Sequence, residues 1–176
     1  LQALAEPYTV RESEIAITAS MGVSVYPNDG ASCEELLKAA DIAMYRAKET
    51  GKKGYVIYSQ EMTDRVQRRV NLENRLRKAI AENRLSVHLQ PRYDLRSRRI
   101  VSAEALVRWE ENGVFIPPLE FIPIAEESGL IVTLGEWVLE EACRRARGWL
   151  DQGAAGLGVS VNVSTVQLLQ RDFCPL

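Results

Sequence analysis

The sequence predicts an α/β fold in two parts that are joined by a helix. Three apolar runs alternate with polar residues at the two-residue period of a half-buried strand, over residues 85–90, 100–109 and 159–163. Two segments with helical periodicity separate the second run from the third. A strand, helix, strand order of this length predicts parallel pairing through a crossover, as at the start of a closed α/β barrel.

The helices of this second part have recognisable start and stop residues. Pro118 fits the first turn of one helix, and Gly129 fits its end. Thr133 and Glu136 stand at capping-box spacing and predict the start of the next helix, which Gly153 follows. An apolar stripe predicts its buried face: Leu134, Trp137, Val138, Ala142, Ala146 and Trp149.

The strand predicted over residues 100–109 carries charged groups in an otherwise apolar segment. Ser102, Glu104, Leu106 and Arg108 share one face. Because an unpaired carboxylate in an apolar interior is strongly disfavoured, Glu104 needs a cation nearby. Arg108 is too distant to be that cation, since a rise of about 3.3 Å per residue separates the two by about 13 Å. We interpret the run as a site; the alternative is a solvated charge pair on an edge strand.

Polar residues also mark the C-terminal ends of the three predicted strands: Gln90, Glu104 and Asn162. In a closed α/β barrel these ends converge on the rim where active sites are built. The pattern therefore predicts that the three side chains meet.

The first part of the chain predicts a strand at residues 15–26, a helix from a Ser32/Glu35 capping box to Gly51, and a strand at 54–58. A charged helical stretch from Glu61 to Asn83 then leads to the barrel. Its basic residues would suit nucleic acid or a membrane surface, but interleaved acidic residues favour a solvated connector helix that packs on the barrel.

Composition indicates a cytoplasmic protein. Of 176 residues, 46% are hydrophobic and 26% charged, and the 22 basic and 24 acidic side chains give a net charge of −2. This balance provides no overall basic field for nucleic acid. No apolar run reaches the roughly 20 residues that span a bilayer, so a membrane anchor would belong to a region before Leu1.

Residues 85–170 resemble the start of the EAL domain, the bacterial phosphodiesterase domain that hydrolyses the second messenger cyclic di-GMP to linear pGpG. The signature hexapeptide is complete at residues 104–109. Several further motifs occur in the family's order, at residues 89–91, 118–123, 125–130 and 161–164. The resemblance implies a TIM-like barrel and a role in bacterial signal transduction.

The resemblance also implies roles for individual residues. Glu104 and Asn162 would be ligands of Mg²⁺ or Mn²⁺, ions that prefer oxygen ligands. Arg108 would hold a substrate phosphate through its planar fork, Gln90 would contact a guanine, and Leu106 would line the pocket. Two such ions can activate a water and neutralise charge on a phosphodiester. The general base and further metal carboxylates of the family would lie beyond Leu176.

Residues 1–58 resemble the C-terminal part of a GGDEF diguanylate cyclase domain, through residues 18–24, 40–48 and 51–53. In that family, cations at the positions of Lys48 and Lys52 contact a triphosphate, which would make GTP a ligand. The alternative is that both lysines complement a helix C-terminus. The Gly-Gly-Asp/Glu-Glu-Phe turn that gives the family its name would lie before Leu1, so we predict no cyclase activity for this chain by itself.

Together these resemblances predict a fragment of a longer protein. The predicted domains are the end of a GGDEF domain at 1–58, a connector helix at 59–83 and the start of an EAL domain at 84–176. We expect a metal-dependent phosphodiesterase that binds cyclic di-GMP, forms a homodimer at full length and binds no nucleic acid. The alternatives are an inactive module that senses cyclic di-GMP or GTP, and a bifunctional cyclase and phosphodiesterase.

Overall fold

The computed structural model describes residues 6–11, 13–15, 17–49, 54–154, 156–171 and 173. The chain forms two compact units, Leu1–Arg68 and Arg69–Leu176, which are described separately below. Within the described residues, no helix is long and apolar enough to cross a membrane.

Within the described residues of the first unit, four short strands form two separate ribbons. Strands β1 (Tyr8–Val10) and β2 (Ser13–Ile15) pair antiparallel, whereas β3 (Ser20–Val23) and β4 (Gly54–Ile57) pair parallel. The prediction of one strand over residues 15–26 is therefore wrong. Its two ends pair with different partners, and a turn at Val25, whose backbone N–H donates to Asp29 at 2.7 Å, ends the extended segment.

Helix α1 (Cys33–Glu49) connects the parallel strands and packs on β3. Its start confirms the predicted cap, because Ser32 Oγ accepts the backbone N–H of Glu35 at 3.2 Å. The helix lies so close to β3 that a Cβ on Gly22 would stand 1.8 Å from the carbonyl oxygen of Ala40. Its buried face consists of Ala39, Ala43 and Ala47, small residues that permit this approach.

Helix α2 (Gln60–Ala81) confirms the predicted connector helix. The compact units divide inside it, between Arg68 and Arg69, rather than at its ends. In the second unit, its last turns bury Leu76, Ala79 and Ile80. The C-terminal half of this helix is thus part of the second unit's core.

The second unit contains a four-stranded sheet with β6 (Arg99–Glu111) at its centre. Strand β5 (Leu85–Asp94) pairs along one edge of β6. The other edge holds β7 (Val114–Ile116), which is antiparallel, and β8 (Gly158–Val161), which is parallel. The predicted parallel crossover between the second and third strands is confirmed, whereas β7 had no counterpart in the prediction.

Strand β5 runs antiparallel to β6, which corrects the expectation that the C-terminal ends of three strands converge. The reason is the short connection between them. The carboxylate of Asp94 accepts the backbone N–H groups of Arg96 at 3.0 Å and Ser97 at 3.2 Å, and so fixes a tight turn. A connection this short joins only antiparallel strands.

Three helices follow: α3 (Pro118–Ser128), α4 (Leu130–Asp151) and α5 (Thr165–Leu168). Pro118 begins α3 and Gly129 ends it with a left-handed φ of 77°, as predicted. The predicted start at Thr133 is wrong. The left-handed Gly129 redirects the chain within one residue, so α4 already begins at Leu130 and Thr133 lies inside it.

The helices cover the face of the sheet that carries Ala105 and Trp109. The Trp109 ring meets Phe121 of α3 edge to face, with centroids 5.5 Å apart. The predicted stripe of α4 is confirmed for Leu134, Val138 and Ala142, which are buried. Its three other members are only partly buried: Trp137, Ala146 and Trp149.

An ionic cluster lies at the end of β6. Glu111 accepts hydrogen bonds from Arg75 of α2 at 2.6 Å and from Arg84 at 3.1 Å, and the Arg75 guanidinium lies 5.6 Å from the centroid of the Trp109 ring. The hydrogen bond from Arg75 holds the pKa of Glu111 below its ordinary value of 4.5, although partial burial opposes this shift. The cluster thus attaches the connector helix to the central strand.

We predict that this cluster makes stability depend on pH. A carboxylate with a lowered folded-state pKa contributes stability above pH 4.5 and loses that contribution as the pH falls through the folded-state value. Wild type should therefore be more stable than Glu111→Gln at neutral pH, and the difference should shrink below pH 4.5. Urea unfolding of the full-length protein at a series of pH values measures this, with the exposed neighbour Glu110→Gln as control. A difference that is independent of pH would contradict the assignment.

Candidate functional site

Glu104 lies at the middle of the central strand, between residues of two neighbouring strands. Its Cα is paired with that of Gln90 on β5 and with that of Ser160 on β8. Side chains at paired positions lie on the same face, about 5 Å apart at Cβ. Glu104 is half-buried and Gln90 is exposed. The register of β6 therefore places a carboxylate beside an accessible amide.

Asn162 follows directly after β8 and completes the group. Its Nδ2 donates a hydrogen bond to Oε1 of Glu104 at 2.8 Å. The structure thus brings together Gln90, Glu104 and Asn162, the three residues expected to meet. The register of the antiparallel β5, rather than a shared strand direction, brings Gln90 into the group.

Leu106 and Arg108 lie farther along the same face of β6, opposite His88 and Ser86 of β5. Both are half-buried. Arg108 Nη1 donates to the carbonyl oxygen of Val107 at 3.1 Å. The edge-strand interpretation is wrong, because β6 has neighbours on both sides.

A cavity of about 250 Å³ lies among β6, α3, α4 and the segment after β8. Apolar side chains from the helices form much of its wall, among them Ile122, Ile131 and Val138. The polar side of the wall consists of Arg108, Glu126, Asn162, Ser164 and Gln167. Leu106, Arg108 and Asn162 of the predicted site thus border an apolar recess, whereas Glu104 and Gln90 do not line it.

Sequence reasoning missed a polar network next to Asn162. Ser164 Oγ donates to Oε1 of Glu126 at 2.6 Å and accepts the backbone N–H of Val166 at 3.2 Å, which caps α5. Gln167 Oε1 in turn accepts the backbone N–H of Ser164 at 3.1 Å. The spacing of Ser164 and Gln167 is a capping-box signal that was visible in the sequence. Glu126 lies in the family motif at residues 125–130, but the sequence alone predicted no role for it and no contact with Ser164, which is far away in the chain.

The donor set of the site suits a hard divalent cation. The ligand atoms available from Glu104 and Asn162 are the carboxylate and amide oxygens, which Mg²⁺ and Mn²⁺ prefer. Ser160 Oγ, on the strand beside Glu104, is buried and has no hydrogen-bond partner within the described part of the chain. In the present arrangement the nitrogen of Asn162 faces Glu104, so a half-turn of the amide would present its oxygen instead. Across the described residues, no group of three or more His, Cys, Asp or Glu side chains is placed to hold a metal.

The candidate residues of the first unit are only partly described. Lys48 is exposed in the last turn of α1, where a cation complements the helix dipole. Lys52 lies outside the described residues. The geometry of the first unit thus agrees with the helix-complementing role for Lys48.

Comparison with known proteins identifies both parts of the chain. The EAL domain family matches residues 73–176, and the family "Diguanylate cyclase, GGDEF domain" matches residues 1–54. The chain is 42% identical to the bifunctional diguanylate cyclase/cyclic di-GMP phosphodiesterase MucR of Pseudomonas aeruginosa, over 93% of the chain and 24% of MucR. It is 41% identical to the cyclic di-GMP phosphodiesterase PdeR of Escherichia coli, over 95% of the chain and 25% of PdeR.

A solved structure supports the same relationship. The PaMucR phosphodiesterase in complex with cyclic di-GMP matches with a TM-score of 0.56 and 41% identity, over 58% of this chain and 42% of that one. The chain spans about a quarter of the length of the two curated relatives. Residues 1–54 match the GGDEF family. Because the EAL match covers more than half of the residues, the chain belongs to the EAL domain family.

Proposed function

We propose that the full-length protein carrying this chain is a metal-dependent phosphodiesterase that hydrolyses cyclic di-GMP to linear pGpG. The observation that carries the proposal is the contact between Asn162 and Glu104, beside Gln90, on the central strand of an EAL domain. MucR and PdeR are both named as cyclic di-GMP phosphodiesterases, which supports the choice of cyclic di-GMP as the substrate.

Glu104 and Asn162 are the proposed ligands of Mg²⁺ or Mn²⁺. When bound, the ions supply positive charge that polarises the phosphodiester and makes a nearby water easier to deprotonate. Glu104 contributes the negative charge that attracts the cation, and Asn162 contributes a neutral oxygen. The general base and the remaining carboxylates of the family are expected after Leu176.

Three further residues are proposed to bind the substrate. Arg108 lies on the same face of β6 as Glu104, and its guanidinium is able to donate two parallel hydrogen bonds to a phosphate. Gln90 is exposed beside Glu104 and offers both a donor and an acceptor to a guanine edge. Leu106 lies between them along the face and provides apolar contact for a base.

The bifunctional alternative has one observation in its favour, the similarity to MucR. In this second proposal Lys48 and Lys52 contact the triphosphate of GTP, and the protein is a cytoplasmic homodimer. Synthesis of cyclic di-GMP from GTP by the full-length protein would support it. Binding of GTP without synthesis would instead indicate a sensing role for the GGDEF part.

The main proposal is tested by turnover. The full-length protein is incubated with cyclic di-GMP and Mg²⁺ or Mn²⁺, and the product is separated chromatographically. Formation of pGpG that stops when a chelator is added supports the proposal. Binding of nucleotide and metal with no turnover would contradict it and favour a sensing module.

We predict that Glu104→Gln keeps the fold but loses metal-supported turnover. The amide is nearly isosteric, yet it removes a negative charge from a site that needs one for a divalent cation. Metal titrations of activity, together with thermal unfolding, measure the two effects. Glu110→Gln, an exposed position on the same strand, is the control. A wild-type rate at limiting Mg²⁺ would exclude Glu104 as a ligand.

We predict that Arg108→Lys weakens nucleotide binding without changing metal affinity. The lysine keeps the charge but loses the fork, and a charge-assisted contact of about 1.5–3 kcal/mol corresponds to about 10- to 150-fold in affinity. Calorimetry with cyclic di-GMP in Ca²⁺, used as a non-turnover metal, measures the change. Arg99→Lys on the same strand serves as the matched control. Unchanged affinity with lowered thermal stability would show that Arg108 is structural.

A further inference from the structure

The segment that follows β8 is fixed by side chains from two different helices. Glu126 of α3 accepts the hydroxyl of Ser164 at 2.6 Å. Gln167 accepts the backbone N–H of the same Ser164 at 3.1 Å. Asn162 lies two residues before Ser164, and its amide contacts Glu104 at 2.8 Å. The position of the Asn162 amide therefore depends on where Ser164 is held.

The direction of the hydrogen bond between Ser164 and Glu126 follows from the other contact of the hydroxyl. Ser164 Oγ already accepts the backbone N–H of Val166 at 3.2 Å, so its proton is free to be donated. An ionised carboxylate only accepts hydrogen bonds. The separation of 2.6 Å matches a charge-assisted bond, which is stronger than a bond between neutral groups.

Gln167 is anchored independently of Glu126. It is 6% exposed, and its side chain occupies the space beside Gly135 of α4, where a Cβ would stand 1.9 Å from Nε2. The amide of Gln167 is therefore held by close packing against the backbone of α4. Among the described residues, Glu126 supplies the one charged contact of Ser164, and it reaches Ser164 from α3.

We propose that Glu126 is a positioning residue for Asn162. By holding Ser164, Glu126 keeps the segment after β8 in the conformation that places the Asn162 amide against Glu104. The inference rests on the proposed function, because it takes Asn162 as a metal ligand. Residues that orient ligands in this way affect metal affinity by about 10- to 100-fold in other sites.

The test measures Mn²⁺ affinity of the full-length protein by calorimetry, so that it has a readout besides turnover. Glu126→Ala removes the acceptor and should weaken Mn²⁺ binding about ten-fold or more. Glu126→Gln keeps an oxygen that accepts from Ser164 and should stay within about three-fold of wild type. Glu120→Gln, exposed on the same helix, is the matched control and should bind as wild type does. Equal losses in Glu126→Ala and Glu126→Gln would overturn the inference, because the loss would then reflect the attraction of the Glu126 carboxylate for the cation and not its hydrogen bond to Ser164.

If Glu126→Ala does not fold, a second pair of variants tests whether the hydrogen bond between Glu126 and Ser164 positions Asn162. Asn and Asp both cap helices well, so Ser164→Asn and Ser164→Asp both preserve the start of α5. The Asn amide can also donate to Glu126, whereas the Asp carboxylate cannot and places a like charge against it. We expect Ser164→Asp to bind Mn²⁺ about ten-fold more weakly than Ser164→Asn. Equal or tighter binding by Ser164→Asp would overturn the inference.

These measurements separate the inference from the proposed function. Wild type that binds Mn²⁺ but does not hydrolyse cyclic di-GMP contradicts the phosphodiesterase proposal, while the variant affinities still decide the role of Glu126. Active wild type whose Mn²⁺ affinity is unchanged by Glu126→Ala overturns the inference alone. Wild type that binds no Mn²⁺ overturns both.

Discussion

The pairing of β6 with neighbours on both edges is the constraint on which the second unit depends. It fixes Glu104 opposite Gln90 on one side and opposite Ser160 on the other. A shift of the register by one residue would turn every side chain of β6 to the opposite face. Glu104 would then enter the core and Trp109 would leave it. The burial of one face therefore specifies the position of the carboxylate on the other.

The buried face stabilises this register through close packing. Trp109 and Phe121 meet edge to face, and the Arg75 guanidinium lies against the same indole ring. Arg75 also binds Glu111, so a charged group of the connector helix is attached to the end of β6. Removal of the indole would cost about 3–5 kcal/mol of stability by the usual cavity effect. The alternation of side chains along β6 thus places Trp109 on the packed face and Glu104 on the opposite face.

The candidate site combines groups with different degrees of freedom. Glu104 is on a strand whose backbone is bonded on both edges, so its position is set by the sheet. Asn162 lies beyond the end of its strand, where the ladder no longer fixes the backbone. There, Glu126 of α3 and Gln167 of α5 hold the backbone in place through their hydrogen bonds with Ser164. The proposed metal site would require both residues to be held in place, because an ion with strict geometry tolerates little displacement of its ligands.

The sequence by itself determined the strand identity of residues 100–109, the faces of that strand, and the termini of α3 at Pro118 and Gly129. These features follow from local periodicity and from residues with restricted backbone conformations. It also determined the family resemblance, since the motifs are contiguous in the chain. The direction of β5 also follows from a local feature, the short turn at Asp94, although the polar pattern at the strand ends suggested the opposite direction. Only the tertiary structure decided the contacts between distant segments. The contact of Glu126 with Ser164 joins residues that are far apart in sequence, and no local pattern encodes such a contact.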